Sequence, residues 1–250
     1  MEGLDLRNTL LIFVSPEDFI SIRSGNRLKL DPENFHHIRT VLRQVHELPV
    51  NLSPGDGRVF RAILTADNKL VKADDSLYTF SRSKRVSLVN PGIKRKNLDL
   101  LIQKSTEVGV DAIHFITSQY QNHPVESIEK LRKTALSACM QSKNLFVPAM
   151  EKHTKGIAGF PFRDDVFYFW GDPDEKVGID TLSDLDLEPY SEICFINGSE
   201  GGWSPTEAEF LKNRFRSVRL SDNVLRSETA ALVALFYSKL LIRESQKSDS

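Results

Sequence analysis

The rhythm of apolar and polar positions changes near residue 85. Before it, short alternating or apolar runs at 10–14, 58–64, 70–73 and 77–80 are separated by turn formers such as Ser53-Pro54-Gly55-Asp56-Gly57 and Ala66-Asp67-Asn68. Runs of this length between Gly, Pro and Asp predict strands, so residues 1–85 read as a small β-rich module. One helical interruption is expected at 35–45. The polar, basic stretch 81–85 is taken as the boundary of a second domain, residues 86–250.

Beyond the boundary, strand-like runs alternate with amphipathic helices, which predicts an α/β domain built on a largely parallel sheet. Strands are expected at 86–90, 112–116, 166–170, 193–197 and 217–220. The runs 166–170 and 193–197 are almost wholly apolar, as for strands covered on both faces. Helices are expected at 98–108, at 127–142 behind Ser127, after Ser204, and from Ser227 to about 241. Gly109 is suited to the left-handed cap that ends the first of these. Residues 153–163 read as a connector and 173–190 as a polar link.

The balance of 33 Lys and Arg against 34 Asp and Glu, with 40% hydrophobic residues, is that of an ordinary soluble protein. It excludes fibrous and disordered classes. Charge is unevenly placed: residues 1–156 hold 23 basic against 17 acidic side chains, and residues 157–250 hold 10 against 17. A basic front and acidic back would orient the molecule on a phosphate surface, although uneven solvated surfaces are also common. Cys139 and Cys194 form no CxxC pair, so neither a zinc site nor a disulfide framework is expected, and a reducing compartment fits. The N-terminal stretch lacks a basic n-region and a long apolar run, which predicts neither signal peptide nor membrane span and makes the cytoplasm the default.

Three segments carry candidate chemistry. In 193–207 a buried strand runs into Asn197-Gly198-Ser199-Glu200-Gly201-Gly202 and then a helix start, where Ser204 and Glu207 have capping-box spacing and Pro205 stands at the first position. Such a junction lets peptide groups approach a ligand without Cβ obstruction; a purely structural tight turn is the competing reading. In 220–230, Arg226 precedes a helix start at Ser227 and Glu228, with Ser227 a candidate N-cap. A rigidly held Arg226 would grip a carboxylate, phosphate or base edge, whereas an internal salt bridge to Glu200 or Glu228 would make it structural. In 36–43, Arg39 and Arg43 share a helix face and could meet adjacent phosphates, or form a solvated face. His36 and His37 have no companion at ligand spacing, so no metal is expected.

The motifs occur together in one order. His37-Ile38-Arg39-Thr40-Val41-Leu42-Arg43, then Gly55-Asp56, Lys96 through Gln103-Lys104-Ser105-Thr106-Glu107-Val108-Gly109-Val110, Gln141-Ser142-Lys143, Gly198 to Ser204, and Leu220 to Ala230 follow one another along nearly the whole chain. In this the sequence resembles the RsmE-type 16S rRNA uracil-N3 methyltransferases of the SPOUT superfamily. It departs from their pattern at Met140, Ser199 and Ser221, where Glu, Pro and Gly are usual, and in 117–121, which lacks an arginine. Serine in place of the proline ring at Ser199 is expected to loosen that loop.

The resemblance implies a C-terminal SPOUT domain with a parallel sheet and a deep trefoil knot, preceded by a small β-barrel-like, PUA-like domain. It implies S-adenosylmethionine as cofactor, surrounded by Phe169, Gly171, Asn197, Gly198, Ser199, Glu200, Gly201, Gly202, Leu220, Ser221, Asn223, Val224 and Leu225. It further implies catalytic roles for Arg226 and Glu228, and RNA contacts through Arg39, Arg43, Arg58, Gln141 and Lys143. The partners it implies are 16S rRNA within the small ribosomal subunit and a second copy of the chain. A noncatalytic RNA-binding or ribosome-assembly protein retaining the fold is the contrasting reading, and titration with S-adenosylmethionine separates the two. An oxidoreductase using a nicotinamide cofactor would need a GxGxxG fingerprint, which is missing.

Overall fold

The computed structural model describes residues 4–30 and 47–248. Their contacts divide the chain into two units, one of residues 1–81 with 139–147 and one of 82–138 with 148–250. The expected helix at 35–45, with His36, His37, Arg39 and Arg43, lies outside the described residues.

In the first unit, β1 (Leu10–Phe13), β2 (Leu28–Lys29), β3 (Leu48–Ser53), β4 (Arg58–Leu64), β5 (Lys69–Lys72) and β6 (Tyr78–Thr79) form one sheet. Its order is β1-β3-β4-β5-β2, with β6 also on β4. Among the described residues of this unit, only the β1–β3 pairing is parallel. Helix α1 (Pro16–Arg23) starts where Ser15 accepts from the Asp18 amide, and its Phe19 and Ile22 join Val50, Leu52 and Phe60 in the core. The sequence pattern missed α1, β2 and β3. The first two are too short to show a period, and β3 is broken by Pro49 and by the buried polar residues Asn51 and Ser53.

The second unit holds six parallel strands: β7 (Arg85–Pro91), β8 (Ala112–Ile116), β9 (Ala149–Lys152), β10 (Val166–Gly171), β11 (Glu192–Ile196) and β12 (Arg216–Val218). They lie in the order β12-β10-β11-β7-β8-β9. Between them run α2 (Arg95–Val108), α3 (Ile128–Ser142), α4 (Pro205–Lys212) and α5 (Ser227–Ser248). The apolar strands serve two cores by alternation. Phe169, Ile193 and Phe195 pack with Leu98, Leu101, Ala231 and Leu235 of α2 and α5. Tyr168, Trp170, Cys194 and Ile196 pack with Leu211 of α4. Helices thus cover both faces, as uninterrupted apolar strands require.

Gly109 closes α2 at φ +94°, the left-handed conformation expected of it. The 173–190 link contains a 3-10 turn at Ile179–Asp184, and its Gly178 bridges Arg219. Strand β9 went unpredicted because only Met150 of its four residues is buried, the mark of an edge strand.

Candidate functional site

Within the second unit, the loops after β10 and β11 and the turn before α5 enclose a cavity of about 710 Å³. A buried hydrogen-bond chain ties two of these segments together. Asn197 Nδ2 donates to Asn90 Oδ1 at 2.6 Å and to Ser227 Oγ at 2.8 Å, and Ser227 Oγ donates to the Gly198 carbonyl at 2.7 Å. Asn90, Asn197 and Ser227 are buried. Buried amides and hydroxyls with every partner satisfied fix one geometry, because leaving any of them unpaired is costly.

Ser227 is therefore not the cap of α5. Its side chain is spent on the glycine loop, and the Arg226 carbonyl accepts the first helical bond from Ala230. The cap of α4 is as expected: Ser204 and Glu207 form the reciprocal capping box behind Pro205.

Ser199, which stands where a proline was usual, closes the glycine turn by hydrogen bonds instead. Its carbonyl accepts from the Gly202 amide and its hydroxyl donates to the Gly202 carbonyl, both at 2.9 Å, while the residue is buried. The expected loosening is thus offset by the hydroxyl's bond, which a proline ring could not make. Ser221 acts similarly, its Oγ accepting from the Asn223 amide at 3.2 Å.

Of the expected cofactor residues, Gly171, Asn197, Gly198, Ser199, Glu200, Gly202, Leu220, Ser221, Asn223, Val224 and Leu225 line the cavity, as do Arg226 and Glu228. Phe169 and Gly201 do not line it. Alternation along β10 turns Phe169 into the core against Phe195, so the following Trp170 and Gly171 form the wall. A Cβ on Gly171 would sit 3.2 Å from Leu220 Cδ1, so glycine there lets Leu220 close the cavity. Asn97, Trp170, Asp172, Phe195, Trp203 and Lys212 also line the wall and were not read from sequence. Asn97 comes from α2, more than 100 residues away, and reaches Glu200 Oε1 at 3.2 Å.

Arg226 is exposed rather than clamped, and among the described residues it makes no ion pair with Glu200 or Glu228. Glu228 is 7% exposed, and its Oε2 has no hydrogen-bond partner among the described residues. The indole N–H groups of Trp170 and Trp203 are likewise unpartnered. All three residues line the cavity, and each keeps one buried polar atom unpaired among the described residues.

The candidate RNA residues lie in the first unit. Arg58 is held by Asp56 at 2.6 Å, whose hydrogen bond and charge raise its already high pKa, and it also lies over the Phe19 ring. Lys143 donates to the Thr9 carbonyl at 2.9 Å, and burial pulls its pKa below the usual lysine value. Gln141 is exposed at the end of α3.

Residues 81–239, which include every segment of the cavity, match the model of the RNA methyltransferase domain family. The chain belongs to that family. Among curated relatives, this methyltransferase is 27% identical to the ribosomal RNA small subunit methyltransferase E of Rickettsia conorii, over 89% of its own length and 94% of the relative's. It is 28% identical to the enzyme of that name from Buchnera aphidicola, over 82% and 85%. The crystal structure of a ribosomal RNA small subunit methyltransferase E from Neisseria gonorrhoeae, bound to S-adenosyl methionine, matches the methyltransferase at TM-score 0.77 and 23% identity, over 94% of this chain and 98% of that one. That likeness bears out the mixed α/β fold with its parallel sheet.

Proposed function

We propose that this methyltransferase transfers a methyl group from S-adenosylmethionine to N3 of a specific uridine in the 16S rRNA of the small ribosomal subunit, working in the cytoplasm as a homodimer. The observation that carries the reading is the single cavity shared by the glycine loop and the Arg226 turn, joined through Asn197 and Ser227. Its volume lies in the range of roughly 300–1,000 Å³ usual for ligand sites. The peptide groups of Gly198–Gly202 and Leu220–Leu225 would hold the cofactor, with Leu220, Leu225 and Phe195 as its apolar wall.

S-adenosylmethionine, when bound, supplies a methyl group already activated on a sulfonium, so the protein's task is alignment and charge management. Uracil N3 carries a proton in the neutral base, and that proton must leave as the new N–C bond forms. Arg226 is assigned to the negative charge that develops on the uracil carbonyl oxygens; its exposed place on the cavity wall, without an ion pair among the described residues, supports this. Glu228 lines the same cavity beside it and is assigned to orient Arg226 or to take the N3 proton.

A deep trefoil knot is the finer topology we assign to the second unit. Strand β11 enters the sheet between β7 and β10, both of which precede it in the chain, and the cavity loop follows directly. The first unit is read as a PUA-like RNA-binding module. Arg39, Arg43 and Arg58 would contact phosphates with help from Gln141 and Lys143, and Arg58 and Lys143 would exchange present partners to do so.

The decisive experiment maps methylated bases in 16S rRNA from cells with and without the protein, then adds purified protein and S-adenosylmethionine to unmodified small subunits. One uridine N3 mark is expected to disappear and then be restored. An unchanged map, together with no calorimetric heat on cofactor titration, would favour a noncatalytic assembly protein.

A further inference from the structure

Strands β8 and β9 bring together three side chains for which methyl transfer has no use. His114 and Glu151 face each other directly in the parallel register, and His153 follows Glu151 by two residues, so strand alternation gathers all three on one face. His114 Nδ1 lies 3.3 Å from His153 Nε2 and 3.5 Å from Glu151 Oε2, and that oxygen lies 3.6 Å from His153 Nε2. The His153 amide donates to the Phe115 carbonyl at 2.7 Å, which keeps the chain in register past the end of β9. The Phe160 ring stands edge-on to both imidazoles, with centroids 5.3 and 5.0 Å away, and so limits their rotation.

These separations discriminate between two explanations. A hydrogen bond from one imidazole to the other accounts for the 3.3 Å contact, but it leaves the carboxylate too far from either ring for a good hydrogen bond. A tetrahedral metal site explains all three distances. With bonds of about 2.0–2.1 Å to nitrogen and oxygen, neighbouring donors stand roughly 3.3–3.4 Å apart. Two imidazole nitrogens and one carboxylate oxygen already occupy three such corners. Both histidine side chains are 19% exposed and Glu151 is 60% exposed, so an ion can enter and water can supply the fourth ligand. Among the described residues this is the one cluster of its kind.

We propose that His114, Glu151 and His153 bind one divalent ion of the zinc class, which pins edge strand β9 and the segment after it to β8. Two nitrogen donors and one carboxylate suit zinc, whereas calcium and magnesium prefer oxygen shells. The role is structural: an edge strand with one buried residue in four gains a crosslink that its apolar contacts do not supply.

The test uses the full chain stripped with a chelator and titrated calorimetrically with Zn²⁺ alone. Saturable binding of one ion at this site and a rise in Tm are expected. His153→Ala and, separately, Glu151→Gln should each weaken Zn²⁺ binding at least tenfold. Glu151 is exposed, so the glutamine variant should keep the metal-free Tm of the parent. Co²⁺ in place of Zn²⁺ should give the strong visible absorption of a four-coordinate site, and His153→Ala should abolish it. No saturable binding, parental affinity in both variants, or only the weak spectrum of six-coordinate Co²⁺ would each overturn the proposal.

Discussion

Arg226 lines the cavity with an exposed guanidinium that makes no ion pair among the described residues, so its removal should separate chemistry from folding. Arg226→Ala is expected to lower the rate of methyl transfer by about 10²–10³-fold, the usual cost of losing one donor to a developing oxyanion. Stability should change by less than ~0.5 kcal/mol, as at other exposed positions. Rate assays beside thermal melts check this, and an unaltered rate would remove Arg226 from the mechanism. Ser227 should behave oppositely. Alanine there leaves the buried Gly198 carbonyl without its hydroxyl donor and Asn197 Nδ2 with only Asn90 Oδ1 and the Ser227 carbonyl as acceptors, at a cost of about 1–3 kcal/mol. Tm and cofactor affinity should fall together, measured by melting and calorimetry; a parental Tm would mean the bridge is not structural. Asp165 gives a pH signature. Bidentate bonding from Arg163, then the Ser191 hydroxyl, pulls its pKa down to about 2. A depressed carboxylate contributes stability above its unfolded pKa of roughly 4, and that contribution fades as pH falls toward about 2. Urea midpoints of the parent and Asp165→Asn should therefore differ at neutral pH and converge in acid, and a constant gap would contradict the assignment.

At the scale of elements, Gly109 isolates one cost. Its φ of +94° strains any L side chain, yet an added Cβ would come no closer than 3.5 Å to a neighbouring atom. Gly109→Ala should thus destabilise by about 1 kcal/mol through backbone conformation alone, read from the urea midpoint. That glycine was legible in the sequence because a left-handed cap demands a particular residue type. The apolar runs of β7, β8, β10 and β11 and the Ser204–Glu207 box were legible for similar reasons: burial on both faces and capping each leave a local signature. Strand β9 and helix α1 left none, since edge exposure and short length erase periodicity. The candidate site divides the same way. Its glycine loop and the turn at 220–226 are contiguous in sequence, whereas Asn97 of α2 reaches the wall only through folding. Phe169 shows the limit of assigning a wall by neighbourhood along a strand: its side chain packs in the core, while the adjoining Trp170 and Gly171 line the cavity.

For the molecule as a whole, strand order carries information that the charge asymmetry of the sequence does not. Strands β7 and β10 do not touch each other; both are paired with β11, and β12 is paired with β10. The link at 172–190 separates the chain that supplies β7 and β10 from the chain that supplies β11 and β12, and Lys176 within it is exposed. Trypsin cleavage there would yield two pieces interleaved like the fingers of clasped hands. They should coelute on gel filtration under native conditions and part only in denaturant; separation in native buffer would count against this strand order. A severed backbone would then be a tolerable injury, because the peptide bond at that point is not what keeps the halves together.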